Sequence, residues 1–240
     1  MTSRVIGERR RRRATRGGVV LSADLIVDEA IRLSRLHGPE GLSARRLGAA
    51  LGCDPTALYR YFASTDDLLL AVCDRLIGEA MAGFDAGVSW VDGLREFARR
   101  IHTSFTGNPR LAMLMAVRVT RRPEEIRAIE MGLSLLLRAG FSPADAVRHY
   151  AALADVILAH ATLDATVLTL APEQRESDER AWAEAFSELP PAQYPSLAAA
   201  RPELRRMASS SFDHAVELIL SAIAAQAPSG QTGPAVSFLL

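Results

Sequence analysis

Lysine is missing altogether from this 240-residue chain, so each of its 28 basic side chains is an arginine. A guanidinium presents forked donors that match phosphate oxygens and the guanine edge, although codon bias yields the same composition. Cysteine is scarce as well: Cys53 and Cys73 are the two in the chain, and they form neither a disulfide framework nor a C-x-x-C metal spacing. Both read as reduced thiols. No uninterrupted apolar run approaches the roughly 18 residues of a membrane span, and no apolar signal segment follows the arginine-rich start. A cytoplasmic protein with no membrane partner is expected. Also missing are a G-x-S-x-G elbow, a phosphate loop, a dinucleotide fingerprint and an H-E-x-x-H pair, which removes the sequence grounds for an enzyme and for a bound cofactor.

What is present suits a folded protein with a substantial core: 49% of the residues are apolar and 23% charged. The net charge of zero conceals a division. Residues 1–64 hold 12 arginines against 6 acids, while the remainder holds 16 against 22. Clustered cations gain by releasing counterions from a phosphate backbone, so the basic end points to a polyanionic partner.

Apolar periodicity is helical throughout, with no strand-period segment and no internal repeat. Residues 1–20 carry five consecutive arginines at 9–13 and read as an arm without a fold of its own: a groove- or backbone-tracking arm or a solvated tail, the composition being the same for both. Helices are expected at 22–37, opened by Ser22 and stopped by Gly38-Pro39, and at 43–51, followed by a tight turn at Gly52. A third is expected from Asp54-Pro55 to about Phe62. Ser64-Thr65-Asp66-Asp67 is a capping box that opens a longer helix toward Phe84. Further helices are expected near 90–106, 109–119 and 123–139. Ser142-Pro143-Ala144-Asp145, a second capping box, starts the longest, to about Leu170.

Along that helix Val147, Ala151, Ala154, Leu158 and Ala161 step by 4, 3, 4, 3, a seam of mostly small residues open to a partner helix. Residues 171–208 read as a connection with one short helix carrying Trp182 and Phe186. Ser210 and Asp213 are expected to cap a last helix ending near Ala227. Residues 229–240 read as a loose tail.

The segment from Gly41 to Phe62 has the form of a helix-turn-helix. Leu58 and Phe62 pin its second helix, while Thr56, Ala57, Tyr59, Arg60 and Tyr61 point outward, toward base edges and phosphates if the helix enters a major groove. The pattern resembles the TetR (tetracycline repressor) family, in which S-x-R-x-L-A-x-x-L-G-V-x-x-x-x-L-Y-x-H-F precedes a long capped helix. The resemblance is specific over residues 21–84. It extends through 85–226 in Gly140-Phe141-Ser142-Pro143, Leu189-Pro190-Pro191 and the closing Phe212-Asp213-His214-Ala215-Val216-Glu217, which are similar to the tetracycline-repressor class of C-terminal domain. Two departures stand out: Cys53 occupies the usual valine position, and Ala63-Ser64-Thr65 replaces a lysine-containing phosphate contact.

The resemblance implies an all-α fold: an N-terminal three-helix DNA-binding domain over 21–67, an effector-binding and dimerisation domain over 68–226, and a flexible tail over 227–240. It implies a homodimer that binds a palindromic operator in double-stranded DNA and releases it when a small-molecule effector binds. An activator of the same family, or a non-DNA interaction protein, is the alternative. The DNA face carried over from the family is Ser43, Arg45, Pro55, Thr56, Ala57, Tyr59, Arg60, Tyr61, Ser64 and Thr65. For Arg60 the bland reading is an exposed, solvated cation, and for Tyr59 and Tyr61 it is core packing. Pocket positions carried over in the same way are Met81, Phe97, Ile101, Met115, Arg118, Leu133, Val147, Tyr150 and Asp155, with Arg118 as an anchor for an anionic or carbonyl-bearing ligand. Met113, Met115 and Phe97 suit an adaptable apolar cavity or plain core. Met115 stands where tetracycline-binding relatives use a histidine, which argues against magnesium-tetracycline as the effector. His149, His160 and Asp164 share a helix, but their spacing alone is a weak metal signal, and no metal site is expected.

Overall fold

The computed structural model describes residues 20–87, 89–185 and 189–228, apart from the side chains of residues 183 and 185. The arginine run at 9–13, Phe186 and the segment 229–240 lie outside the described residues. Ten α-helices, linked by shorter helical turns, make up the described architecture, which is all-α. The chain divides into two compact units, Met1–Val72 and Cys73–Leu240. The division falls five residues beyond the expected domain limit at 67, inside a helix.

In the first unit, α1 (Ala23–His37) opens on Ser22, whose hydroxyl accepts the Leu25 amide at 3.1 Å. It stops at Gly38, which turns the chain with φ 63°. Ile26, Ala30 and Leu33 are buried along one stripe of α1, as their i, i+4, i+7 spacing predicts. A turn of 3-10 helix, Gly38–Leu42, then brings Gly41 against the Leu33 and Ser34 backbone. A Cβ at Gly41 would lie 2.6 Å from those main-chain atoms, so only glycine fits there. α2 (Ala44–Leu51) buries Leu47 and ends at Gly52 in the left-handed region, φ 63° and ψ 34°.

The third expected helix is shorter and tighter than its sequence suggests. Pro55–Arg60 is 3-10 helix, with i→i+3 bonds from the Ala57 amide to the Asp54 carbonyl and from the Tyr61 amide to the Leu58 carbonyl. The tighter i→i+3 form is used in short pieces such as this one. α3 (Thr65–Met81) starts on Ser64, whose hydroxyl accepts the Asp67 amide at 3.0 Å, while Asp67 reaches back to the Ala63 amide. It ends well before the expected Phe84, and Gly83 carries the turn with φ 67°.

The second unit is a bundle around α7. α4 (Trp90–Thr106), α5 (Pro109–Met115) and α6 (Pro123–Arg138) pack on α7 (Pro143–Leu168), as does α10 (Phe212–Ala224). α5 stops at Met115, so residues 116–122 form an irregular strap where helix was expected to 119. The predicted box at Ser142 forms: its hydroxyl accepts the Asp145 amide at 3.2 Å. Arg95 of α4 holds both carboxylate oxygens of Glu217 on α10.

Several expectations for this half change. The segment 171–208 is more helical than a connection, with α8 (Pro172–Arg180), one wide π turn at Ala181–Ala185, α9 (Pro195–Ala200) and a 3-10 stretch at Arg201–Ala208. Two of these segments, α8 and α9, start with proline at the first position, where its missing N–H costs nothing. Ser210 does not cap the last helix through Asp213: Ser211 is the N-cap residue, and the Ser210 hydroxyl donates to Asp164 on α7 at 2.5 Å. The seam expected on α7 splits. Val147 and Ala151 are exposed, Ala161 is buried, and Ala154 and Leu158 face a cavity. By length and composition alone α7 could cross a membrane, yet Asp155 and Asp164 interrupt it and Leu153, Ile157 and Ala165 pack inside the bundle.

Candidate functional site

Two sites emerge, one in each unit. In the first, Leu58 and Phe62 are buried and fix the Pro55–Arg60 helix, as the pattern requires. Thr56, Tyr59, Arg60, Tyr61, Ser64 and Thr65 are exposed around it, as is Arg45 on α2, while Ser43, Pro55 and Ala57 are half-buried. The structure thus brings together on one unit all ten residues expected at DNA. Their hydrogen bonds separate their roles. Asp54 accepts both the Thr56 amide, at 2.8 Å, and the Thr56 hydroxyl, at 2.6 Å. These two bonds hold the Asp54 carboxyl below the usual aspartate range. The Thr56 hydroxyl is therefore engaged in capping. Tyr61 donates its hydroxyl to the Leu21 carbonyl at 2.6 Å, which gives it a structural bond that the outward reading did not foresee. Tyr59 is 53% exposed, and Arg60 leans its Nε toward the Ala57 carbonyl at 3.4 Å with its guanidinium at the surface.

The second site is a cavity of about 350 Å³ in the Cys73–Leu240 unit. Phe97, Ile101, Met115, Arg118 and Tyr150, five of the nine pocket positions carried over from the family, line it. The other four do not. Met81 is buried one turn beyond Ile77, the last α3 residue in the wall. Leu133 lies one turn beyond Ile129 on α6, past the end of the lining formed by Glu125, Ala128 and Ile129. Asp155 is exposed on the side of α7 away from the lining, and Val147 is exposed one turn before Tyr150, outside the lining. Met113 is likewise exposed, at 64%.

Sequence reasoning missed Cys73 and Ile77 of α3, the strap residues Ala116, Val117, Val119 and Thr120 beside Arg118, and Ala154, Ile157 and Leu158 of α7. One signal was available. Gly132 in mid-helix lets the Tyr150 ring lie across α6, where a Cβ would come within 2.3 Å of it. Tyr150 also meets Phe97 edge-on at 6.2 Å. Burial, helped by the nearby Glu125 carboxylate, pushes its phenol up to about 12. Burial likewise pushes the Cys73 thiol up to about 12. Both groups are therefore neutral at physiological pH. The lining is apolar apart from the groups supplied by Arg118, Thr120, Glu125 and Tyr150.

The histidines do not converge on a metal. His149 lies edge-on to Phe141, and Asp164 pairs with His102 of α4 at 2.7 Å rather than with His160. Among the described residues no group of three or more candidate ligands forms a metal site.

A capped helix-turn-helix on one unit and a cavity-bearing helical bundle on the other define a one-chain regulator of the helix-turn-helix type. Residues 26–72 match the model described as bacterial regulatory proteins of the tetR family, and residues 85–227 match the tetracyclin repressor-like C-terminal domain. The chain belongs to the TetR family of DNA-binding, ligand-responsive transcriptional regulators.

An HTH-type transcriptional regulator of Saccharopolyspora erythraea is 26% identical over 211 residues, 87% of this chain and 86% of its own. An HTH-type transcriptional repressor of Mycobacterium tuberculosis is 32% identical over 162 residues, 65% of this chain and 61% of its own length. Among solved structures, a TetR regulator of Streptomyces coelicolor matches with a TM-score of 0.74 at 25% identity, covering 87% of this chain and all of that one. The fold of the Streptomyces coelicolor TetR family protein ActR, solved in complex with actinorhodin, matches with a TM-score of 0.76 at 22% identity, covering 87% of this chain and 98% of that one.

Proposed function

We propose that this chain is a cytoplasmic repressor that binds a palindromic operator as a homodimer and leaves it when a small molecule fills the cavity. The observation that carries this reading is the composition of the cavity wall. It includes Cys73 and Ile77 of α3, and α3 is the continuous helix that carries the chain on from the helix-turn-helix. An occupant touching that wall can bias the helix, which is the differential contact a ligand-driven switch requires.

The effector implied is mostly apolar, with hydrogen-bonding groups matched to Arg118, Thr120, Glu125 and Tyr150. The complex of ActR with actinorhodin is a precedent for a small molecule bound by a protein of this fold. For the homodimer, support comes from the uncovered apolar side of α7 and α10. Leu163, Val167 and Leu218 are exposed there, and a second copy would cover them by two-fold pairing.

Ser43, Arg45, Pro55, Ala57, Tyr59 and Arg60, with Ser64 and Thr65 at the amino end of α3, form the operator face in this reading. Phosphate there meets backbone N–H groups and hydroxyls in place of a lysine. Selection from a random-sequence duplex pool tests it. The expected result is enrichment of one inverted repeat whose half-sites lie about one helical turn apart. Retention of all sequences equally, or of single half-sites by a particle that sediments as one chain, would overturn the proposal.

A further inference from the structure

We propose that Asp74 is the latch through which occupancy of the cavity is passed to α3, an inference that rests on the regulator reading above. Asp74 is one of four buried polar residues in the described chain. Its position is unusual for what it caps. α6 begins at Arg122, whose side chain makes no capping bond, and the orphan amide of Glu125 at the third helical position is instead accepted by Asp74 Oδ1 of α3 at 2.9 Å. The start of one helix thus depends on a carboxylate from another, 51 residues earlier.

Thr120 joins the same knot. Its hydroxyl stands 3.4 Å from Asp74 Oδ1 and 3.1 Å from Glu125 Oε2, and it accepts the Arg122 amide at 3.1 Å. Glu125 Oε2 also accepts the Arg121 amide at 2.8 Å. Arg121 holds φ 58°, the one non-glycine residue with positive φ among those described, so the knot fixes a backbone turn that relaxes once released. One turn along α3, Gly78 lets the Glu124 side chain approach to a distance no Cβ would allow. Asp74 and Gly78 therefore clasp the amino end of α6 while Cys73 and Ile77, their neighbours on α3, face the cavity.

The strap that ends in this knot is itself cavity wall. Residues 116–120 line the space on one side, and Val117 and Val119 are otherwise exposed. An occupant large enough to displace the strap must draw Thr120 and the Glu125 amide away from Asp74. Opening the latch frees α3 from α6 and changes what the chain before Cys73 is attached to. Buried polar knots of this kind have two discrete states, fully made or broken, because a half-satisfied carboxylate is expensive.

A double-mutant cycle on the full chain tests the latch without an identified effector, using the duplex recovered by selection. Ala154→Trp fills the cavity from α7, and Ala128→Phe fills it from α6 if the first variant does not fold. Asp74→Ala removes the acceptor, whereas Asp74→Asn keeps an oxygen for the Glu125 amide. The expected result is that cavity filling and Asp74→Ala each weaken operator binding at least tenfold, that the pair is no weaker than either alone, and that Asp74→Asn stays within threefold of the parent. Exchange of the Glu125 amide should rise in both single variants. Losses that multiply in the pair, or a filled cavity that leaves the Glu125 amide protected, would overturn the latch while the regulator reading stands. If no duplex is selected at all, the regulator reading fails first, and the latch then has no switch to serve.

Discussion

The Tyr61 hydroxyl donates a 2.6 Å hydrogen bond to the main-chain carbonyl of Leu21, forty residues earlier, and so ties the end of the Pro55–Arg60 helix to the entrance of α1. Replacing Tyr61 by Phe leaves that carbonyl without this partner. A loss of about 1 kcal/mol in unfolding free energy is expected by denaturant titration. Operator affinity should fall only as far as that loss predicts, whereas Tyr59→Ala should weaken binding at unchanged stability.

Arg60 presents the guanidinium of the recognition segment to solvent. If it forks onto a guanine, Arg60→Ala should cost about 1–3 kcal/mol of operator binding and relax the preference at one base pair. If it meets phosphate, affinity should drop alike on all sequences, and the slope of log K against log salt should shrink by about one. Binding isotherms at several salt concentrations separate the two, and unchanged affinity would remove Arg60 from the interface.

Asp54 gives the first unit a pH dependence whose sign follows from its cap. Its carboxyl is held below the ordinary aspartate range by the Thr56 hydroxyl and amide. The stabilisation it provides is therefore present above the ordinary value and lost as pH falls through the lowered folded value. Asp54→Asn, which keeps an oxygen acceptor, should flatten the acid limb of stability and of operator binding relative to the parent.

Much of the fold could be read from local chemistry. Ser22, Ser64 and Ser142 cap the helices they were expected to cap, and Gly52 and Gly140 adopt the positive φ their turn positions call for. These features are legible because a cap or a left-handed turn is decided within four residues. The 3-10 form of Pro55–Arg60 was not, since periodicity over six residues does not separate two kinds of helix. Asp74 was invisible for another reason: within its own helix it looks like an ordinary acid, and its meaning lies in an amide 51 residues away. The cavity wall was legible at Phe97, Tyr150 and Arg118 but not at the strap residues around Arg118, where the helix stops short.

Ser34 is fully buried on α1, and its hydroxyl has no hydrogen-bond partner. Removing an unsatisfied buried hydroxyl while keeping the backbone in place should help. Ser34→Ala is expected to raise unfolding free energy by about 1 kcal/mol, read as a higher denaturant midpoint at constant slope. A lower midpoint would mean the hydroxyl is satisfied in solution.

The two thiols should differ in reactivity. Burial pushes the Cys73 thiol up to about 12, and burial together with Asp54 raises the half-exposed Cys53 thiol less far. At pH 8 both stay mostly protonated, so alkylation of the native chain should be slow at Cys53 and slower still at Cys73. Peptide mass mapping over time would show it, and equal labelling rates would mean that the α3 wall of the cavity opens readily.

α7 presents two apolar sides to two different neighbours. Ala154, Ile157 and Leu158 look into the cavity, while Leu163 and Val167 look out. A molecule wedged against the inner side must strain the same rod that a second copy would grip from outside. Self-association and occupancy are then linked in both directions by reciprocity: diluting the protein until the pair separates should change how tightly the cavity holds its guest, and saturating the cavity should move the concentration at which the pair comes apart.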